Sequence, residues 1–185
     1  LKTFLRVQRY INLAYLCRDE TQGNIAGADG GDKVLLHTCC APCSSAIIEA
    51  LLQNGITPVI YYCNPNIFPR EEYEIRKNEC TRYAESLGLE IVDADYDHEN
   101  WLEAVRGLEK EPERGGRCLK CFKLRLLRTA EYARQRGIRV ISTTLASSRW
   151  KSLDQINEAG LWACRNISSG NTAVSPDKVS EISNI

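Results

Sequence analysis

Five cysteines in two short motifs are the residues of this sequence best suited to chemistry. Cys39, Cys40 and Cys43 form a C-C-x-x-C group, and Cys118 and Cys121 form a C-x-x-C pair. Each motif stands where a helix is predicted to begin, and unpaired backbone N–H groups at such a turn stabilise thiolates. The chain has nine cysteines in all. Clustered cysteines in an intracellular protein more often bind metal or do redox chemistry than form disulfides.

The spacing of these cysteines favours an iron-sulfur cluster over zinc. A tetrahedral zinc site takes paired ligands two to four residues apart, because neighbouring side chains diverge. A cubane cluster takes one thiolate for each iron, so Cys39 and Cys40 could bind two irons while Cys118 and Cys121 bind the others. Cys43 is then a spare thiol beside the cluster. A thioredoxin-like disulfide and buried structural thiols are the alternatives.

The remaining cysteines and the histidine of the first strand receive structural interpretations. We expect Cys63 and Cys80 to be buried core residues, since Cys80 lies on the apolar stripe of a predicted helix. Cys17 and Cys164 are assigned no role. His37 is interpreted as a buried histidine with satisfied hydrogen bonds rather than a ligand.

Polar side chains follow the third and fourth predicted strands. Asp95 and Asp97, with His98 beside them, could supply a proton donor or a metal ligand, although solvated loop acids are the plainer interpretation. The polar side chains after the fourth strand could line a phosphate or ribose site, or merely cap the next helix. They are Thr143, Thr144, Ser147 and Ser148, with Arg149 and Lys151 close behind.

The elements that must position these residues alternate short apolar runs with helical segments, which predicts an α/β fold with one parallel sheet flanked by helices. Strands are predicted at KVLLHT, TPVIYYC, LEIVDAD and IRVISTTL. Helices are predicted between them and at SLDQINEAGLWA. All of the polar motifs then fall beyond the carboxyl ends of the strands, where ligands bind in open parallel sheets.

The chain divides into three predicted parts. Residues 1–32 are expected to form an amphipathic helix followed by a linker, residues 33–163 the α/β domain, and residues 164–185 a poorly ordered tail. No apolar run is long enough to span a membrane and no signal peptide is present, so a cytoplasmic location is expected.

The formal net charge is zero, but it is unevenly distributed. Residues 110–139 carry ten bases against three acids, which gives a net charge of +7. Such a stretch could attract an anionic polymer such as RNA, although a run of Lys and Arg on a helix is more often its solvated face.

Five segments, taken together, resemble the QueH-type epoxyqueuosine reductases over residues 33–163. In chain order they are LLHTCCAPCS, YYCNPNIFPREEYEIRK, DYDHENWLEAVRGLEKEPERGGRC, CLKCFKLRL and TTLASSRWKSLDQIN. The resemblance implies a nucleotide-hydrolase-like (HUP) α/β fold and reduction of the epoxide of epoxyqueuosine in tRNA to the alkene of queuosine. It further implies tRNA and an unidentified electron donor as partners.

The resemblance also implies a cofactor and its ligands. A [4Fe-4S] cluster held by Cys39, Cys40, Cys118 and Cys121 is expected, with an additional iron beside it and Cys43 near that iron or the substrate. Asp95 or Asp97 is the hypothesis for the acid that protonates the departing oxygen. Two further alternatives stay open: a tRNA-binding protein with a structural metal, and a metal-free thiol-disulfide protein.

One segment departs from the family's pattern. Family members usually continue past the Gln-Ile-Asn helix with a Gly-rich segment that ends in a Cys-Gly-Cys pair, which has no counterpart here. The sequence is therefore either truncated or shifted out of frame, or that of a divergent member without the pair.

Overall fold

The computed structural model of the chain describes residues 15–17 and 33–168. Their sheet has five strands in the order β1-β5-β2-β3-β4. Strands β2 to β5 run parallel, and β1 pairs with β5 in the antiparallel direction. The strands are β1 (Tyr15–Leu16), β2 (Val34–Thr38), β3 (Pro58–Tyr62), β4 (Ile91–Asp93) and β5 (Val140–Thr143).

Within the described residues, five α-helices connect or follow the strands. They are α1 (Ala41–Gln53), α2 (Arg70–Ser86), α3 (His98–Ala104), α4 (Gly116–Gln135) and α5 (Leu153–Ser168). A short 3-10 helix (Leu145–Ser147) precedes α5. The predicted α/β fold, its four parallel strands and the helices between them are confirmed.

The central strands are buried on both faces because helices cover the sheet from both sides. Every residue of β2 and β3 is buried, as the continuous apolar runs of a parallel sheet predict. Leu35 packs in a core that includes residues of α4 and α5, whereas its neighbour Leu36 packs with Ile47 and Ile48 of α1. Successive residues of one strand thus anchor opposite helical layers.

The structure differs from the predicted boundaries at both ends of the described region. Tyr15 and Leu16 form a strand where a helix was expected, because they pair with Ile141 and Val140 at the sheet edge. At the other end α5 continues through Cys164 to Ser168, past the expected start of the tail at residue 164. Residues 1–14 and 18–32 of the expected helix and linker, and residues 169–185, lie outside the described residues.

A glycine inside α5 makes room for β1. A Cβ atom on Gly160 would overlap the ring of Tyr15. The Tyr15 hydroxyl donates to the backbone oxygen of Ile156 (3.3 Å) and to Oδ1 of Asn157 (3.1 Å). In the described part of the chain no helix has the length and apolar content to cross a membrane.

Candidate metal centre

The loop between β2 and α1 gathers three free thiols. The Sγ atoms of Cys39, Cys40 and Cys43 all lie within 4.8 Å of one another, and all three residues are partly buried. Cys40 is the N-cap residue of α1, and a proline stands in the helix's first turn. The turn from strand to helix therefore brings three sulfurs into the space that a metal centre needs.

The three thiols differ in the direction in which their pKa values are shifted. Hydrogen bonds from Cys40 and Cys43 hold the pKa of the Cys39 thiol well below its ordinary value, the positive charges of Lys151 and Arg125 lower it further, and burial opposes them. The same hydrogen bonds to Cys39 raise the pKa of Cys40 and of Cys43 above the ordinary value, and burial adds to the increase. A bound cation would offset the cost of ionising all three, because a coordinating thiol is deprotonated.

A hydrogen-bond network ties this loop to two neighbouring strands. The backbone N–H of Cys39 donates to Oγ1 of Thr144, 3.4 Å away, just after β5. The side chain of Asn64, just after β3, donates to the backbone oxygen of Thr38 (2.8 Å). Arg125 of α4 donates to the backbone oxygen of Cys63 (3.1 Å) and to Oδ1 of Asn64. The carboxyl ends of three strands are thus fixed around the thiols by groups from the sheet and from α4.

His37 belongs to this supporting network and is a satisfied buried histidine, as expected. Its Nε2 lies 3.0 Å from the backbone oxygen of Cys63, which can only accept, so Nε2 carries the proton. Its Nδ1 then accepts from the Thr143 hydroxyl at 2.8 Å. Burial, with the nearby charge of Arg125, lowers the pKa of His37 to about 3, which keeps the ring neutral.

Cys118 and Cys121 lie on the face of α4 that carries Arg125. These residues are at helical positions i, i+3 and i+7 and therefore share one face. Because Arg125 bonds to the residues at the end of β3, this face of α4 packs at the edge of the sheet that bears the cysteine loop. Neither cysteine belongs to the group of thiols within 4.8 Å of one another. That limit describes ligands of a single ion, whereas the thiolates of a cluster bind separate irons, so the shared site stays a prediction.

The expectation that unpaired backbone N–H groups at the start of α4 stabilise a thiolate is wrong for Gly116 and Arg117. The backbone N–H groups of Gly116 and Arg117 are not free, because the carboxylate of Glu111 accepts from both. Burial raises the pKa of the Cys118 thiol, and the carboxylate of Glu113 beside it adds to the increase. Two N–H groups at the start of α4 are therefore occupied by the carboxylate of Glu111.

The two candidate acids are placed differently beyond β4. Asp95 is exposed and has a positive φ of 61°. Asp97 is partly buried at the N-cap of α3, where it accepts hydrogen bonds from Asn100 (2.9 Å) and lies 3.6 Å from the guanidinium of Arg128. Asp97 is therefore the more firmly fixed of the two, and the role of proton donor remains a prediction for both.

The other cysteines are structural in the described region. Cys63 and Cys80 are buried and free, as expected, and burial raises the pKa of Cys63 to about 11. Cys17 and Cys164, which were assigned no role, form a disulfide between the segment after β1 and helix α5. Their sequence separation of 147 carries no local signal of pairing.

The basic stretch does not form one solvated helix face. Lys123 and Arg125 are buried in α4, and Arg128 bonds to the backbone oxygen of Ala94. Arg134 and Arg136 are exposed, but they lie at the far end of α4 and bond to Ile167 and Glu90. The expected interaction of this helix with an anionic polymer is therefore not supported for its central turns.

Sequence reasoning missed Arg125 and Asn64 as residues that assemble the site. The available signal was the position of Arg125, four residues after Cys121 and flanked by the leucines at 124, 126 and 127. For Thr143 and Thr144 the structure shows hydrogen bonds within the site, and Ser152 accepts from the N–H of Gln155 (3.4 Å) at the start of α5. That contact agrees with a capped helix start.

These features define a class: a parallel α/β protein with a cysteine centre at the carboxyl edge of its sheet. A sequence model of the family described as epoxyqueuosine reductase QueH matches residues 34–173. The chain belongs to this family. It is 51% identical over 132 residues to the epoxyqueuosine reductase QueH of Haemophilus influenzae, and 50% identical over 135 residues to that of Acinetobacter baylyi.

The two alignments cover 71% and 73% of this chain. The chain spans 54% of the Haemophilus protein's length and 62% of the Acinetobacter protein's length. Membership of the family is therefore established over most of this sequence, while a substantial part of the relatives has no matching segment here.

Proposed function

We propose that this chain is an epoxyqueuosine reductase that converts the epoxide of epoxyqueuosine in tRNA to the alkene of queuosine, in the cytoplasm. The observation that carries the proposal is the group of three free thiols within 4.8 Å at the carboxyl edge of the sheet. Membership of a family whose curated members are named for this activity supports the substrate.

The donor set fits a thiolate-bound metal centre. In the proposal Cys39, Cys40, Cys118 and Cys121 hold a [4Fe-4S] cluster, and Cys43 lies beside an additional iron or the substrate. Soft thiolates select iron-sulfur clusters, and adjacent cysteines suit a cofactor that presents several irons. The bound cofactor would supply single electrons and a Lewis acid for the epoxide oxygen.

The reaction consumes two electrons and two protons. Both C–O bonds of the epoxide break, the carbon–carbon double bond forms, and the oxygen leaves as water. The electrons come from an external reductant, and the chain must deliver protons to the oxygen. Asp97, fixed at the start of α3, or its neighbour Asp95 is proposed as the donor. His37 is neutral and fully hydrogen-bonded, so we assign it to positioning the strand ends.

The test of the metal centre is chemical analysis of anaerobically purified protein. We expect iron and acid-labile sulfide in comparable amounts and visible charge-transfer absorption. Alanine at Cys39 or Cys121 should reduce both contents strongly. Alanine at Cys80, a buried free cysteine on α2 outside the thiol group, is the matched control. A wild-type protein without iron under these conditions would refute the proposed cofactor.

The test of the activity uses tRNA that carries epoxyqueuosine and a chemical reductant. Formation of queuosine in the tRNA, followed by nucleoside mass spectrometry, is the expected result. The same chain extended by the family's C-terminal segment should be assayed in parallel. A protein that holds iron and sulfide but forms no queuosine in either version would overturn the reductase proposal.

A further inference from the structure

Two aromatic side chains are unusually exposed in the loops around the candidate metal centre. Phe68 is 74% exposed and Trp150 is 63% exposed, the two highest values among the exposed large hydrophobic residues of the described region. The five others are aliphatic and lie in helices or at a helix end: Ile75, Leu87, Leu102, Leu153 and Leu161. Single exposed aliphatic residues on helices are common. Two exposed aromatic rings in loops at one edge of the sheet are less common and suggest an interaction site.

Phe68 is the outer ring of a stacked ladder. His98 stacks on Phe68 with a centroid distance of 5.4 Å and lies nearly parallel to Tyr96 at 5.5 Å. Trp101 stacks on the same histidine at 5.4 Å. The guanidinium of Arg70 lies 5.6 Å from the centre of the Tyr96 ring. Phe68 is thus stacked on His98, and the guanidinium of Arg70, which also pairs with Glu74 (3.8 Å), lies beside the ladder.

Trp150 also lies beside an arginine. We call Trp150 with Arg149, and the Phe68 ladder with Arg70, the two platforms. The guanidinium of Arg149 lies 4.9 Å from the centre of the Trp150 ring. Arg114 donates to the backbone oxygens of Arg149 (2.9 Å) and Trp150 (3.2 Å), so the exposed segment is anchored to the loop before α4. No carboxylate forms a salt bridge with Arg149 in residues 15–17 and 33–168.

The two platforms stand on opposite sides of the thiols. Phe68 and His98 follow β3 and β4, Trp150 follows β5, and the cysteine loop follows β2 between them. All of these loops lie at the carboxyl edge of one parallel sheet. The strands that precede Phe68 and Trp150, β3 and β5, are two strand spacings apart, roughly 10 Å, and both residues lie several positions further along their loops. That span suits a few nucleotides of extended single strand with one nucleotide directed toward the centre.

We propose that Phe68 and Trp150 are base-stacking platforms that hold unpaired RNA nucleotides on either side of the nucleotide presented to the cysteine centre. This inference rests on the proposed function for the identity of the nucleic acid. Aromatic faces stack on any base, and neighbouring arginines attract the phosphates, which is how single-stranded nucleic acid is bound without base-edge readout. A nucleotide in a paired or stacked loop must be splayed out before an enzyme can reach it, and stacking its neighbours elsewhere lowers that cost.

The arginines of the proposed RNA-binding surface are not those of the basic stretch 110–139 that the sequence suggested. The central basic residues of α4 are buried or bonded within the protein. Arg149 and Arg70 are exposed, and each lies at an aromatic ring of the platforms. Arg149 and Arg70 therefore supply positive charge directly beside the two aromatic platforms.

The test measures binding of a fluorescent anticodon stem-loop RNA to the full chain by anisotropy at fixed salt. Trp150→Ala and Phe68→Ala should each weaken binding between about 5-fold and about 100-fold, the range for loss of one stacked base. Trp150→Phe and Phe68→Tyr should restore most of the affinity. Arg149→Ala should reduce the salt slope by about one, and Trp150→Ala should leave that slope unchanged.

Matched controls remove similar groups elsewhere. Ile75→Ala removes an exposed apolar side chain, and Arg82→Ala removes an exposed arginine whose neighbour on α2 is Glu79. Neither should alter binding, and no variant should alter binding of a duplex RNA. Equal affinity of wild type and both alanine variants would overturn the inference, as would an equal loss with duplex.

Two further outcomes separate this inference from the proposed function. Both alanine variants could bind the stem-loop normally and lose activity only with a protein reductant. The surface around Phe68 and Trp150 would then bind a redox partner. That outcome overturns the inference, while the reductase proposal stands. If the wild type binds no RNA, both fall, although the analysis of iron and sulfide is unaffected.

Discussion

Single residues around the cysteine loop have sharply different roles although their chemical types are similar. Arg125 is 3% exposed and directs its guanidinium at groups of the sheet edge, whereas Arg136 pairs with Glu90 at the surface. Asp97 is fixed by Arg128, whereas its neighbour Asp95 is exposed. Burial and partners, rather than residue type, decide which of two like side chains supports the centre.

The first prediction concerns the proposed proton donor. Asp97→Asn removes the proton but keeps the shape of the N-cap residue, so we expect turnover to fall by at least about 100-fold, the lower limit for a lost general acid. Asp95→Asn tests the other proposed donor, and one of the two variants should keep normal turnover. Reduction of epoxyqueuosine in tRNA under single-turnover conditions is the measurement, with iron content checked for each variant. Normal turnover of the Asp97 variant would remove this residue from the mechanism.

The second prediction compares Arg125 inside α4 with Arg136, the residue that caps the end of this helix. Arg125→Met leaves Oδ1 of the buried Asn64 without its donor, so the free energy of unfolding should fall by about 1–3 kcal/mol. Arg136→Met breaks only an exposed ion pair and should change it by less than about 0.5 kcal/mol. Urea unfolding followed by circular dichroism measures both. Equal effects would show that Arg125 does not support the sheet edge.

At the scale of elements, α5 is adapted to carry the edge strand β1. A glycine in a helix interior costs about 1 kcal/mol relative to alanine. Here Gly160 lets the ring of Tyr15 pack directly on the helix, and Tyr15 bonds to residues one turn earlier. The loss of helix propensity is offset by the burial of Tyr15 at the end of the sheet.

The third prediction is that the effect of Gly160→Ala on the free energy of unfolding changes sign when Tyr15 is replaced by alanine. In the wild-type background Gly160→Ala should lower the free energy of unfolding by about 1–3 kcal/mol, because the new Cβ overlaps the Tyr15 ring. In a Tyr15→Ala background the same change should raise it by about 1 kcal/mol, because only the propensity difference remains. Urea unfolding of the four proteins gives both values. Additive effects would contradict the proposed contact.

At the scale of the whole molecule, a covalent link joins residues distant in sequence. Cys17 follows β1, Cys164 lies near the end of α5, and their disulfide closes a loop with a sequence separation of 147. Cross-linking a long loop restricts the unfolded chain, which stabilises the folded one. The same two elements also meet through Tyr15 and Gly160, so β1 is held against the domain both covalently and by packing.

The fourth prediction tests this link. Alkylation of the denatured, metal-free protein should modify the seven free cysteines before reduction and all nine afterwards. Reduction should lower the free energy of unfolding by about 2–4 kcal/mol. The double variant Cys17→Ala with Cys164→Ala serves as control, since a reductant should not change its stability. Nine modified cysteines without reduction would contradict the disulfide.

The sequence by itself determined the elements and the identity of the thiols. The four parallel strands and the helices between them follow from local patterns, because burial on both faces imposes continuous apolar runs on strands and a stripe on helices. The position of C-C-x-x-C between a strand and a helix also follows from local order. The grouping of Cys39, Cys40 and Cys43 was therefore readable from one short segment.

Only the tertiary structure decided which distant groups meet. The pairing of Cys17 with Cys164, the strand at Tyr15, and the contact of Arg125 with Asn64 all join segments far apart in the chain. The burial of Lys123 and Arg125 likewise depends on what packs against α4. No local pattern encodes such contacts, because their free energy comes from the complete packing of the domain.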